Sequence, residues 1–329
     1  MQLDRYQVVM RSVPYGEGVS LLCSYPQRYS GHCYVLAFKG TSDGGGIYDL
    51  YEREWAHLSS TWNYSGALNP NGSEEYDDSL YFTVFDTTYN PLQVQLWRFD
   101  FATETVTCLA YVASNNYSNP KLATDYENGY VYWTYEDLIT DICYIRKYDI
   151  SAETDAPYTS RASVDHANSL GCDSSGNLHL GYAFGATQKW DTYDGAWSNI
   201  LTGHQCYPGY HGFVYDVTSQ KVRNADNSKS WTSDNNTTHF LCDYEGFPYS
   251  VLRVTLFPTD SFAVLERYFA DEDVDAPKTF AGDEDAYLGI PELVYQRVRR
   301  VKSFDDILFV QAGDGNYVYE LQPYRRNIF

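Results

Sequence analysis

The sequence predicts an all-β chain folded as a β-propeller of six or seven four-stranded blades, and three observations carry that prediction. Helical periodicity is nearly absent: no apolar set at i, i+3, i+4, i+7 with caps persists beyond two turns. Short aromatic or β-branched runs alternate instead with clusters of Gly, Asn, Asp, Ser and Pro. Finally, one turn-and-strand unit recurs along the whole chain at blade-sized intervals.

The unit opens with a polar turn containing Asp and runs into a strand. Asp78-Ser79-Leu80-Tyr81-Phe82, Asp125-Tyr126-Glu127-Asn128-Gly129-Tyr130, Asp173-Ser174-Ser175-Gly176-Asn177-Leu178, Asp243-Tyr244-Glu245-Gly246-Phe247 and Asp306-Ile307-Leu308-Phe309 are its copies. The leading Asp residues lie 47, 48, 70 and 63 positions apart. An aromatic-Asp pair then closes a later strand: Tyr48-Asp49, Phe99-Asp100, Tyr148-Asp149 and Trp190-Asp191, with the Asp residues 51, 49 and 42 apart. Tyr215-Asp216 repeats the design and signals a further blade between the turns at Asp173 and Asp243. Each period of roughly 40 to 50 residues holds about four short antiparallel strands, one propeller blade. A lone four-stranded sheet cannot bury both faces, whereas radial packing and ring closure do so. The first blade is expected at about residues 5–60 and the last at about 280–329. Closure is expected where Tyr6-Gln7-Val8-Val9-Met10 pairs with the C-terminal blade. No linker divides the sequence, so residues 1–329 are expected to form one domain.

Composition agrees. Hydrophobic residues are 43% and aromatics 17%, with 33 Tyr and 7 Trp, which favours a sizeable core built on pleated surfaces. Lys and Arg total 23 against 44 Asp and Glu, a formal charge of -21 that repels phosphate backbones and argues against nucleic-acid partners. No stretch approaches the roughly 18 to 20 apolar residues that span a bilayer, so no membrane insertion is expected. Residues 1–7 show no basic region leading into an apolar run, so no signal peptide is expected. The seven cysteines contain no Cys-x-x-Cys pair. Cys108 and Cys143 lie in apolar strand patterns and are expected as small core residues, while Cys23 and Cys33 flank a polar loop and would bridge in an oxidising setting.

Asp173-Ser174-Ser175-Gly176-Asn177-Leu178-His179-Leu180-Gly181-Tyr182 resembles the hairpin of sialidase-like, Asp-box-type propellers, and Lys189-Trp190-Asp191-Thr192-Tyr193-Asp194-Gly195-Ala196-Trp197 fits the same blade style. The resemblance covers about one blade well. It implies a fold and no activity, because the Arg-Ile-Pro motif and the strict Ser-x-Asp-x-Gly-x-Thr-Trp box of that family are missing; Ser233-Asp234-Asn235-Asn236-Thr237-Thr238 only echoes the box. The Tyr- and Asn-rich blades also resemble, in style, propellers of tailed-phage virion proteins.

Paired carboxylates run glycoside hydrolysis when their environments differ. Asp49, Asp100, Asp149 and Asp191 recur at equivalent places, so they are expected as turn residues, and no catalytic residue is assigned. Asp271, Asp273 and Asp275, with Asp283 and Asp285, offer hard oxygens at alternate positions suited to calcium, although Ala276 and Gly282 break an EF-hand; Asp314-Gly315-Asn316 is a further acidic cluster. His204, Cys206 and His211 share one loop at a spacing matching no metal template. No nucleophile elbow or phosphate-binding loop is present. Loops carrying Trp62 and Tyr64, and Asn116 and Tyr117, combine rings with amides and hydroxyls, a chemistry suited to sugar stacking or protein contact. The expected function is therefore a non-enzymatic virion component of a tailed phage, in tail, neck or fibre. Its partners would be other virion proteins or cell-surface glycans, and it would stand as a homo-oligomer with no cofactor unless calcium binds. A glycan-binding lectin or sialidase-like hydrolase, and a cytoplasmic interaction scaffold, are the alternatives.

Overall fold

The computed structural model describes residues 5–12, 21–22, 27–39, 44–63, 73–86, 88–89, 91–113, 120–137, 139–162, 164–184, 187–208, 214–219, 221–228, 230–232, 237–244, 247–256, 260–267, 278–279, 298–304, 307–312 and 317–324, and the side chains it describes fall between residues 27 and 230. Among these residues stand seven antiparallel sheets. Blade 3 is the clearest: Leu122–Asp125, Tyr130–Asp137, Ile142–Asp149 and Thr154–Ala162, paired in that order. Blade 4 follows the same meander with Asp165–Cys172, Leu178–Phe184, Thr187–Tyr193 and Trp197–Thr202. Blade 1 spans residues 21–59, blade 2 residues 62–113, blade 5 residues 206–232 and blade 6 residues 237–279.

Blade 7 closes the ring. Val298–Phe304, Ile307–Ala312 and Tyr317–Tyr324 supply three strands, and Arg5–Ser12 adds the fourth along the outside. The register runs Tyr6 to Pro323 and Met10 to Tyr319, as the N-terminal pattern predicts. The first strand therefore belongs to the last blade, so blade 1 begins at Leu21 rather than near residue 5. This gives seven blades, within the expected range.

Strand position fixes burial. The first strands of successive blades touch one another: Ser73–Tyr76 meets Leu122–Asp125, which meets Asp165–Cys172, which meets Cys206–Pro208. They thus surround the axis, and Leu122–Asp125 is buried throughout. Outermost strands such as Thr105–Ala113 and Thr154–Ala162 consist of exposed and half-buried residues. Middle strands are apolar on consecutive positions because each face meets a different neighbour. Leu122, Val131 and Trp133 pack on Tyr81, Val94 and Leu96 of blade 2. Ala123, Tyr132 and Cys143 pack on Leu170, Leu178, Leu180 and Tyr182 of blade 4.

The Asp turns are local hydrogen-bond devices. Asp49 accepts from the Tyr51 amide at 2.9 Å, Asp100 from the Thr103 amide at 2.8 Å and Asp149 from the Ala152 amide at 2.9 Å. All three end the third strand of their blade. Four residues further on, Arg53, Glu104 and Glu153 take a left-handed backbone (φ 63°, 52° and 50°), so this hairpin gets its reversal from ordinary side chains rather than glycine. Two of these residues also clasp the preceding blade. Tyr34 of blade 1 donates to Glu104 at 2.6 Å, and Arg98 of blade 2 lies 3.8 Å from Glu153.

Two members of the expected Asp series differ. Asp191 does not end its strand, which continues to Tyr193; it sits opposite Leu180 and Asn199, fully buried. Its shorter spacing of 42 residues from Asp149 is the trace of that shift. Tyr215-Asp216 closes the second strand of blade 5, Val214–Asp216, and so turns at the opposite end of the ring from Asp49, Asp100 and Asp149. Phe85-Asp86 in blade 2 is its true counterpart, at the end of Ser79–Asp86, with Asp86 accepting from the Thr88 amide at 2.9 Å.

Candidate functional site

A ladder of aromatic rings crosses the junction of blades 3 and 4. Tyr130 and Tyr132 stand on the second strand of blade 3, and their centroids are 6.4 Å apart. Residues two apart on a strand share a face, which is why both look toward blade 4. Tyr158, on the outermost strand Thr154–Ala162, lies 5.1 Å from Tyr132 and 5.5 Å from Tyr193 across the junction. Tyr193 lies 5.1 Å from Trp197, the two closing the Tyr193-Asp194-Gly195-Ala196-Trp197 hairpin of blade 4. Trp197 donates its indole N–H to the Ser160 carbonyl at 2.9 Å, tying that hairpin to blade 3.

Two cations cover part of the ladder. Lys147 Nζ stands 4.0 Å from the Tyr130 centroid and 5.7 Å from that of Tyr158, and the Arg161 guanidinium 5.8 Å from Trp197. Tyr158 remains 39% exposed, while Tyr130, Tyr193 and Trp197 are half-buried. Burial pushes the Tyr158 hydroxyl above its ordinary pKa, so it stays a neutral donor and acceptor at physiological pH. Flat apolar faces edged by phenol and indole groups suit a ligand with C–H faces and hydroxyl edges.

The titratable groups nearby are committed to structure. Asp191 accepts Arg161 Nε and Nη2 at 2.6 Å each and Asn199 Nδ2 at 2.9 Å, and the Tyr182 hydroxyl donates to it as well. Burial, then the bond to Asp191, raises Tyr182 to about 12. In the hairpin that resembles the Asp box, Asp173 accepts the Ser175 and Asn177 amides at 2.9 and 3.0 Å and pairs with His179 Nε2 at 3.1 Å. His179 Nδ1 accepts the Trp190 indole N–H at 3.3 Å. Both nitrogens of this buried imidazole are engaged, so it has none to offer a substrate proton. Burial opposes ionisation of Asp173, but His179 and Asn177 outweigh it and hold the carboxyl at about 2.

A depressed carboxyl contributes stability above its unfolded pKa of about 3.9, and the contribution fades as pH falls from about 4 to about 2. The denaturant midpoint is expected to drop over that window by an amount worth about 2 kcal/mol, and to drop less in Asp173→Asn. Equal slopes for the two proteins between pH 5 and pH 2.5 would remove Asp173 from the account.

The other sequence-predicted sites fare differently. Trp62, expected as an exposed stacking ring, is buried at 2% exposure, 5.0 Å from Trp97 and 5.4 Å from Phe82. It fills the core of blades 1 and 2, so its faces are already occupied. Tyr64, Asn116 and Tyr117 lie outside the described residues, as do Asp271, Asp273, Asp275, Asp283 and Asp285, Asp314-Gly315-Asn316, Cys23 and His211. Among the described residues, no group of three His, Cys, Asp or Glu could hold a metal ion. His204 pairs instead with Asp216 at 2.9 Å, and Cys206 is buried. Cys143 is in the core as expected, whereas Cys108 is exposed, because its strand turned out to be the outermost of blade 2. Cys33 is buried in the core of blade 1.

The aromatic ladder escaped sequence reasoning, which looked to loops. Its signal is the Tyr130-x-Tyr132 pair beside a Tyr-x-x-x-Trp hairpin, meaningful only once blades 3 and 4 are known to adjoin. A second exposed set, Tyr89, Leu92 and Ile139, lies in the turns between second and third strands of blades 2 and 3, with Tyr111 on the outermost strand of blade 2.

No protein-family model matches the chain, and no curated protein sequence matches it. Its likenesses are structural. The WD40 repeats of RRP9 align with a TM-score of 0.58 at 9% identity, over 98% of this chain and 99% of that one. A catalytically inactive virginiamycin B lyase from Staphylococcus aureus, with quinupristin, aligns at 0.55 and 8%, over 96% and 99%. An oligogalacturonate lyase from Vibrio parahaemolyticus aligns at 0.55 and 10%, over 98% of both chains. At such identity these matches establish the fold alone: the chain is a β-propeller.

Proposed function

We propose that this propeller is a non-enzymatic virion component of a tailed phage, in tail, neck or fibre, that contacts cell-surface glycans through the aromatic ladder of blades 3 and 4. The carrying observation is the run Tyr130, Tyr132, Tyr158, Tyr193 and Trp197, partly open and edged by hydrogen-bonding groups. Two further points support the reading. Asp49, Asp100, Asp149 and Asp191 are bound into turns or blade junctions, which leaves them unsuited to hydrolysis. The charge of -21 disfavours polyanionic partners. Tyr89, Leu92, Tyr111 and Ile139 then suit contacts with other virion proteins, made in several symmetric copies.

Tyr158→Ala is the direct test of the ladder. Losing one stacking ring is expected to weaken glycan binding several-fold to about tenfold while the fold persists, since Tyr158 is partly exposed. A glycan array run on wild type and variant reads this, and a chromogenic glycoside panel separates binding from hydrolysis. Equal array signals for both proteins, or absence of the chain from purified particles, would overturn the corresponding half of the proposal.

A further inference from the structure

We infer that a second copy of this chain adds to Thr105–Ala113, the outermost strand of blade 2, pairing like strand with like, antiparallel, about a two-fold axis at Leu109. The inference goes beyond the glycan reading and stands without it. Among the described residues this strand is the last of its sheet, with Gln93–Asp100 on its inner side. Such an edge is a template for a further strand unless charge, proline or brevity guards it. Thr154–Ala162, of equal length in blade 3, carries Asp155, Pro157 and Arg161. The outer strands of blades 1, 6 and 7 carry Glu54, Lys278, and Arg5 with Arg11. Those of blades 4 and 5 are uncharged but only six and three residues long. Thr105–Ala113 has nine residues with no charge, proline or glycine, and its Thr, Val and Tyr side chains favour pairing. Thr105, Thr107, Cys108, Tyr111 and Ala113 are exposed, Tyr111 to 61%.

Charge selects the occupant. A basic partner finds no carboxylate along this strand, whereas an identical neutral strand meets it with no charge left unmatched. Leu109 is a bulge, with Ala110 opposite Leu96 and Cys108 opposite Trp97, and it splits the strand into two straight runs. A two-fold at that point lays Thr105–Cys108 of one copy along Ala110–Ala113 of the other and closes both edges at once. The acidic end of the strand has Asp100 opposite Thr105, with Glu104 in the turn between them. It then lies beside the apolar end, where Gln93 opposite Ala113 brings in the turn of Tyr89 and Leu92. The acidic ends of the two copies stay about 30 Å apart, several Debye lengths at physiological salt. The charge of -21 on each copy therefore opposes association least in this arrangement.

Sedimentation equilibrium of the full chain reads the association. A two-chain species is expected, tightening as salt screens the remaining self-repulsion. With the two-fold at Leu109, Thr107 of one copy stands opposite Tyr111 of the other. Thr107→Glu with Tyr111→Glu sets like charges directly opposite and is expected to weaken the dimer about tenfold or more. Thr107→Glu with Tyr111→Lys sets opposite charges there and is expected to restore it. Both positions are exposed, so the melting temperatures of the two double variants are expected to match each other. A monomer at every salt concentration overturns the inference. So does a dimer that the two Glu substitutions leave intact, or one that the Glu and Lys pair fails to restore. Glycan binding at blades 3 and 4 is measured separately, so a monomer that still binds glycans overturns this inference alone.

Discussion

Gly181→Ala is expected to destabilise the protein by about 2 kcal/mol or more, the penalty of overpacking against backbone that cannot step aside. A Cβ at Gly181 would lie 2.1 Å from the Cys206 carbonyl oxygen, 3.0 Å from its carbon and 2.8 Å from Pro208 Cδ. Gly181 is on the second strand of blade 4, and Cys206–Pro208 is the first strand of blade 5. The contact is between blades, so relief requires moving one sheet relative to the next. The strand Cys206–Pro208 is held by its own pairing to Val214–Asp216 and cannot yield alone. Gly31→Ala is the comparison: among the described residues, nothing beyond its chain neighbours would lie within 4 Å of a Cβ there, and only the left-handed φ of 92° resists substitution. Urea midpoints for the two variants measure the difference. A loss below about 0.5 kcal/mol for Gly181→Ala would show that blades 4 and 5 do not pack this closely.

Asp191→Ala is expected to cost about 3 kcal/mol, at the lower end for breaking a buried pair because Arg161 keeps part of its guanidinium in water. The carboxylate is fully buried and gathers Arg161 from blade 3 with Tyr182 and Asn199 from blade 4. Removing it strands a guanidinium against the neighbouring blade and takes the acceptor from the buried Tyr182 hydroxyl, whereas the exposed Asn199 amide turns to water. The pair itself need not be favourable relative to apolar packing. Arg161→Met with Asp191→Leu is therefore expected to be less damaging than the sum of the single changes, with a coupling above about 1 kcal/mol. Additive effects in that cycle would mean that the clasp between blades 3 and 4 contributes nothing as a unit. The same cycle bears on the aromatic ladder, since Arg161 reaches from Asp191 to the face of Trp197.

These two sites illustrate where sequence reading reaches and where it stops. Asp49, Asp100, Asp149 and Asp173 were legible because each bonds amides two to four residues ahead, and such turns depend on adjacent residues alone. Asp191 carries the same aromatic-Asp signature but spends its oxygens on Arg161, thirty positions back in another blade. Tyr215-Asp216 also matches the signature yet turns at the other end of the ring, because blade 5 uses it one strand earlier.

The sequence by itself determined the strand period, the all-β class, the pairing of Tyr6–Met10 with the last blade and the chemistry of most tight turns. These follow from alternation and from side chains bonding their near neighbours. Only the tertiary structure decided that Trp62 is core, that Cys108 is outside, that Gly181 meets the backbone of blade 5 and that five rings line up between blades 3 and 4. Each of those outcomes depends on which face of one sheet meets which face of the next. That is set by packing between segments tens of residues apart, and no local pattern of residues encodes it.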